Sequence, residues 1–228
     1  MLFCESVWAQ AKKKQFGLLI KIMMPDAFEL LIRVLCDRRP PAPADAAYLY
    51  CTTTDNQMSV FRAARNMVDQ RLTKKILVYQ SAPMGGYPGG DQCKAGLQAA
   101  GVPADHICDL PSGETDFIHT LIESQTLVRY AKDQGMISLL ITSPPFHQLR
   151  AFMTAVSVAL QIYPELMIFS YPGSTLPWME TVTHSQGTLQ APRRQLIKEE
   201  LIRIEAYQNK GDLAHFESVL SYMNQRDG

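Results

Sequence analysis

Residues 138–151 read SLLITSPPFHQLRA. Leu139, Leu140 and Ile141 form an apolar run of buried-strand length, Thr142 and Ser143 follow, and Pro144 and Pro145 turn the chain. A segment with helical spacing then carries His147 and, one turn on, Arg150. This is a strand, a tight turn and a helix start. In an open α/β sheet, ligands bind beyond the carboxyl ends of the strands, where a helix N-terminus offers unpaired N–H groups and partial positive charge. Two hydroxyls, an imidazole and a guanidinium at that place predict an anion site. A histidine and an arginine in a first helical turn also oppose the helix dipole unless an anion compensates them. Arg150 is therefore expected to serve ligand affinity and to matter little for stability, and His147 to be partly protonated near neutral pH.

Working outward, the same strand-then-helix unit recurs on both sides. Ala46–Cys51 is a buried strand that empties into Thr52–Asn56 before a helix of about 58–71, and Lys75–Gln80 is a second strand. Its exit loop, 81–91, reads SAPMGGYPGGD, and a helix over 93–100 then stops at Gly101, where a positive φ is expected. A short third strand spans 106–110, a helix runs from about 117 to 134, and a fifth strand covers 166–171. Residues 172–191 read as irregular, followed by helices over 193–208 and 213–225. On the first of these, Leu196, Ile197, Leu201 and Ile204 form the expected buried stripe; upstream, a helix from Pro25 has Phe28, Leu31, Ile32 and Leu35 in that role.

Strands alternating with helices at this spacing predict an α/β fold: a Rossmann-like three-layer sandwich with a mostly parallel sheet of five or more strands. The expected division is a helical N-terminal extension (1–43), an α/β core (44–172), and a loop with two C-terminal helices packed on the core (173–228).

Lysine plus arginine equals aspartate plus glutamate at 22 each, so no global field favours nucleic acid or an anionic membrane. The 5 cysteines are odd in number and contain no C-x-x-C pair, which argues against a disulfide framework or structural zinc. The histidines are too scattered to form a metal set. Lys12, Lys13 and Lys14 follow the apolar start and Lys21 interrupts the next apolar run, so no signal peptide or membrane span is expected, and the location expected is the cytoplasm.

Three polar exit loops should converge on one crevice: Thr52–Asn56, Ser81–Gly90 and Thr142–Arg150. Gly85 and Gly86 either let backbone approach a phosphate or belong to a mobile surface loop. Ser143 with His147 as its base lacks a G-x-S-x-G elbow and an acid partner. Arg62 and Arg65 lie on the helix after the first strand, where a solvated face is the ordinary explanation. His184 falls in the irregular segment, facing the crevice or structural.

The order of motifs over about half the chain resembles the YdcF/SanA/ElyC-like family, a bacterial domain of undefined activity. Thr142, Ser143, His147, Arg150 and Ala151 match its Thr-Ser-x-x-His-x-x-Arg-Ala strand exit with one additional residue before the histidine. Gly101-Val102-Pro103 matches its Gly-Val-Pro turn, and Ser81 with the following glycines its second loop. Its Ser-x-Asn-Thr-x-Glu segment is matched in two registers, through Ser112, Glu114 and Thr115 or through His119, Thr120 and Glu123. The first strand exit, with Thr52 and Asn56, lacks the family's glycine.

The resemblance implies a Rossmann-like fold and, for a cytoplasmic member, an ability to bind S-adenosylmethionine or another nucleotide-like ligand; it is also the reason for keeping Arg62. The leading expectation is a small anionic ligand in the crevice. A non-catalytic sensor or interaction module and a phosphoesterase stand beside it, and the C-terminal helices are available for pairing with a second copy.

Overall fold

A computed structural model describes residues 25–112, 118–184 and 189–228. Its centre is a five-stranded sheet, all parallel, in the order β3-β2-β1-β4-β5. The strands are β1 (Ala46–Leu49), β2 (Ile76–Gln80), β3 (Ile107–Pro111), β4 (Ser138–Thr142) and β5 (Met167–Ser170). The helices are α1 (25–35), α2 (Thr54–Asp69), α3 (Gly90–Ala99), α4 (Thr120–Asp133), α5 (Pro145–Ile162), α6 (Arg193–Lys210) and α7 (Phe216–Asp227). The Rossmann-like three-layer arrangement expected from the alternation is present.

The two-residue period of each strand builds two cores. Ala47, Leu49, Ile76, Val78, Leu140 and Phe169 face α2 and α3, meeting Val60, Phe61, Met67, Cys93 and Leu97. Ala46, Tyr48, Leu77, Tyr79, Leu139, Ile141 and Ile168 face the other layer, with Leu127, Val128, Phe152, Val156 and Met223. Gly101 ends the turn after α3 at φ 89°, as its place in the sequence demanded.

Three local readings change. The stretch read as irregular contains a small antiparallel ribbon, β6 (Thr181–Thr183) paired with β7 (Gln190–Pro192). Strands of three residues carry too little alternation to be seen. On α1, Leu30 and Val34 are buried while Phe28, Ile32 and Leu35 are exposed. That helix is apolar nearly all round, so periodicity alone does not choose its inner face. On α6 the buried line runs Arg193, Leu196, Glu200, Ile204 and Gln208, and Ile197 and Leu201 are exposed. Polar residues replace part of the expected apolar stripe because each finds a partner inside.

Strand order reverses between β1 and β4, so the exits of these two strands diverge around a crevice. No helix among the described residues is long and apolar enough to cross a membrane.

Candidate functional site

A cavity of about 340 Å³ opens at that reversal. Tyr50, Cys51, Thr52 and Thr53 reach it from the exit of β1, Gly85 and Tyr87 from that of β2, His119, Thr120 and Glu123 from the start of α4, and His147, Arg150 and Thr154 from α5. Arg203, Tyr207 and Lys210 close it from α6.

The first turn of α5 is held rigidly. Gln148 folds back so that its Oε1 accepts from Ser143 N at 2.7 Å while its Nε2 donates to Ile141 O at 2.8 Å and Ser170 Oγ at 2.9 Å. This clips the exits of β4 and β5 to the helix and fixes where His147 and Arg150 stand. Both are nearly inaccessible, at 3% and 4% exposure.

The anion that this turn requires comes from within the chain. Glu200 of α6 places Oε2 at 2.8 Å from His147 Nδ1 and 2.5 Å from Arg150 Nε, and Oε1 at 2.7 Å from His184 Nε2 and 3.2 Å from Arg150 Nη2. Burial alone would raise its carboxyl; the interactions with His147 and the Arg150 charge, with the hydrogen bonds from His147 and His184, outweigh that and hold it well below the carboxylate range. Arg150 also donates through Nη1 to Thr120 Oγ1 at 3.1 Å and lies over the Tyr207 ring at 5.8 Å.

His147 is correspondingly not the half-protonated group expected. Burial pushes it down to about 4, with Glu200 opposing and Arg150 and His184 assisting. A neutral ring beside an ionised carboxylate carries its proton on Nδ1 and donates it to Glu200, leaving the Nε2 lone pair unbound by any described residue. Arg150 Nη2, 3.2 Å from the protonated Nδ1, is then a close neighbour rather than a donor.

The opposite wall carries the reverse case. Glu123 accepts from Tyr48 OH at 2.8 Å, and Tyr50 OH donates to Ser124 Oγ at 2.5 Å, which itself donates to Thr120 O at 2.7 Å. Two phenols two residues apart, Tyr48 on β1 and Tyr50 just past its end, thus pin the first turns of α4. Burial drives the Glu123 carboxyl up to about 7, against the Tyr48 hydrogen bond and the Arg150 charge. Its second oxygen has no partner among the described residues.

These shifts set a stability profile. Glu123 is raised from about 4.5 when unfolded to about 7 when folded, so its contribution is complete below 4.5 and is lost as pH rises through 7. His147 is depressed from 6.5 to about 4, so its contribution is complete above 6.5 and is lost as pH falls through 4. Glu123→Gln, which keeps an acceptor for Tyr48, is expected to match the parent near pH 5 and to exceed it by about 2 kcal/mol at pH 8, allowing for partial exposure. Urea unfolding at the two pH values measures this; an unchanged difference refutes it.

Of the residues expected to bind ligand, Thr52, Gly85, His147 and Arg150 line the cavity. The Thr52 hydroxyl is buried and unpartnered among the described residues. Asn56 is spent elsewhere: it donates to Thr53 Oγ1 and accepts from the buried Arg193, fastening α2 to the ribbon. Arg62 is exposed on α2, and the Ser81 hydroxyl donates to Ala82 O; neither is a lining residue. Gly85 and Gly86, at φ 55° and 84°, form a tight turn closed by paired Met84 and Tyr87 hydrogen bonds, and Gly86 is not a lining residue. Thr142 lies at 0% exposure against Met67, and Ser143 at 0% with a hydroxyl unpartnered among the described residues; neither is a lining residue. Glu114 and Thr115 lie outside the described residues, whereas His119, Thr120 and Glu123 of the other register line the cavity.

No family model, curated protein or solved structure matches this chain. The site is therefore argued from its own residues. Glu200 was missed because it sits in a charged run, KEE, that reads as solvated. Its spacing from Leu196 and Ile204, four residues each way, was the available signal. Among the described residues no cluster of three or more histidine, cysteine or acidic side chains could hold a metal ion.

Proposed function

We propose that this chain binds a small anionic, nucleotide-like molecule in the cavity between the exits of β1 and β4. The observation that carries the reading is the pairing of aromatic rings (Tyr50, Tyr87, Tyr207) with the cations Arg203 and Lys210 around a space of about 340 Å³ at the strand-order reversal. Rings accept a heterocycle and cations accept phosphate oxygens, and the volume falls at the lower end of small-molecule sites, roughly 300 to 1,000 Å³. The resemblance of the Thr142–Ala151 segment to the YdcF/SanA/ElyC-like family agrees with it.

Arg150 no longer fits the role of the free anion-binding charge, because Glu200 already neutralises it. The charge available to a ligand belongs to Arg203 and Lys210, two turns apart on α6 with Tyr207 between them. This favours a phosphate-bearing nucleotide over S-adenosylmethionine, whose sulfonium centre is a cation. Equilibrium dialysis at pH 7 against adenosine monophosphate, adenosine diphosphate and S-adenosylmethionine is the test. The nucleotides are expected to bind more tightly, and the double change Arg203→Ala, Lys210→Ala to weaken them about thirtyfold, each charge supplying on the order of 1 kcal/mol. Absence of binding at millimolar concentration, or an unaffected double variant, refutes the proposal.

A further inference from the structure

The two walls of the cavity carry complementary proton-handling groups that simple binding does not require. On one side, His147 is fixed through Nδ1 by Glu200 at 2.8 Å, and its Nε2 has no partner among the described residues. On the other, Glu123 is fixed through one oxygen by Tyr48 at 2.8 Å, and its second oxygen has no partner among the described residues. Tyr48 of β1 and Tyr50 just beyond it link them: the Tyr48 and Tyr50 rings meet edge-on at 4.8 Å, and Tyr50 meets the His147 ring edge-on at 6.2 Å. Each group is thus held by a partner that does not line the cavity, and both side chains line the same space, the arrangement expected of a general base and a general acid.

We propose that the cavity hydrolyses a phosphate ester of an alcohol, His147 Nε2 taking a proton from the attacking water and the Glu123 carboxyl giving one to the leaving oxygen. This rests on the anion-binding reading above and adds a reaction to it. The new bond joins the water oxygen to phosphorus and the bond to the alcohol oxygen breaks. The products are the alcohol and inorganic phosphate, with His147 protonated and Glu123 ionised. Exchange with solvent returns the proton from imidazolium to carboxylate, so no redox partner is needed. Glu200 is a positioning residue that fixes the His147 tautomer.

The groups facing each member set the working range. His147 is faced by Glu200 of α6, Arg150 of α5 and His184 after β6; Glu123 is faced by Tyr48 of β1, Tyr50 and Cys51 just beyond it, Tyr79 of β2, Tyr87 of the following loop, Cys93 of α3 and Arg150 of α5. Burial leaves His147 unprotonated above about 4 and Glu123 protonated below about 7. The productive form therefore occupies the window between these limits, as macroscopic values of the coupled site.

The test compares two probes with the full chain: adenosine monophosphate, whose alkoxide leaves only with a proton, and p-nitrophenyl phosphate, whose phenolate leaves without one. Phosphate release from both is expected, with a bell-shaped pH profile. Glu123→Gln should slow the nucleotide reaction about 100-fold or more and the nitrophenyl reaction by no more than a few-fold, while His147→Gln slows both. The alkaline limb of the nucleotide profile should vanish in Glu123→Gln. Circular dichroism confirms that each variant is folded, and Glu123→Gln, which keeps the acceptor for Tyr48, carries the test if the histidine variant does not fold. Equal losses for both esters in Glu123→Gln overturn the acid assignment. No phosphate release despite nucleotide binding in dialysis overturns the hydrolysis and leaves the binding reading standing; neither binding nor release overturns both.

Discussion

Replacing Glu200 with alanine is expected to lower the unfolding free energy by about 3–5 kcal/mol, the usual consequence of leaving a buried partner charge uncompensated. Its carboxylate is 4% exposed and receives contacts from His147, Arg150 and His184. Without it, the Arg150 guanidinium, only 4% exposed, keeps Thr120 Oγ1 as its remaining hydrogen-bond acceptor and sits against the dipole of α5. Urea unfolding followed by circular dichroism at pH 7 measures the loss. The double change Arg150→Met, Glu200→Leu removes both charges at similar volume and is expected to be far less costly than either single change, since the desolvation cost disappears with the pair. A loss below about 1 kcal/mol for Glu200→Ala, or additive losses in the double variant, refutes this account. The earlier expectation that Arg150→Ala would spare stability is replaced accordingly: it leaves Glu200 buried and short of its strongest partner.

The second large effect concerns α7. A chain ending at Gly211 is expected to lose cooperative folding altogether. Val219, Leu220, Tyr222 and Met223 lie in the core on the far face of the sheet, and burying such side chains contributes about 1.5–3 kcal/mol each. Their sum is comparable with the whole stability of a typical domain, roughly 5–15 kcal/mol. Polar links add to this. Tyr222 OH donates to Leu166 O at 2.5 Å and accepts from Ile168 N at 2.7 Å, so it completes the backbone pairing of the edge strand β5. Arg226, at 1% side-chain exposure, grips both carboxylate oxygens of Asp37 at 2.7 and 2.8 Å and lies 4.4 Å from the Phe169 ring centre. Calorimetry of the shortened chain should show no unfolding transition, or the product should be insoluble. A soluble product with the parent melting temperature refutes the assignment. The effect of Arg226→Met, which spares the apolar contacts, separates the ion pair from the packing.

The order of elements and the location of the crevice were legible in the residues alone. Strand-length runs at 46–51, 75–80, 139–141 and 166–171 alternate with helical spacing, and a parallel sheet with strand-exit loops on one edge follows from that pattern by steric rules acting over a few residues. His147 and Arg150 were visible for the same reason, since the strand, the prolines and the first helical turn are contiguous. Tertiary structure decided what those two residues do. Glu200 lies 50 residues beyond Arg150 and neutralises it, so a charge that local reasoning assigns to a ligand is answered inside the protein. Tertiary structure also chose the inner faces of α1 and α6, paired Thr181–Thr183 with Gln190–Pro192, and set Glu123 beside Tyr48 from 75 positions away. Periodicity reports which residues share a face, but the energy of a buried charge depends on its partner, and partners distant in sequence meet only when the chain has folded.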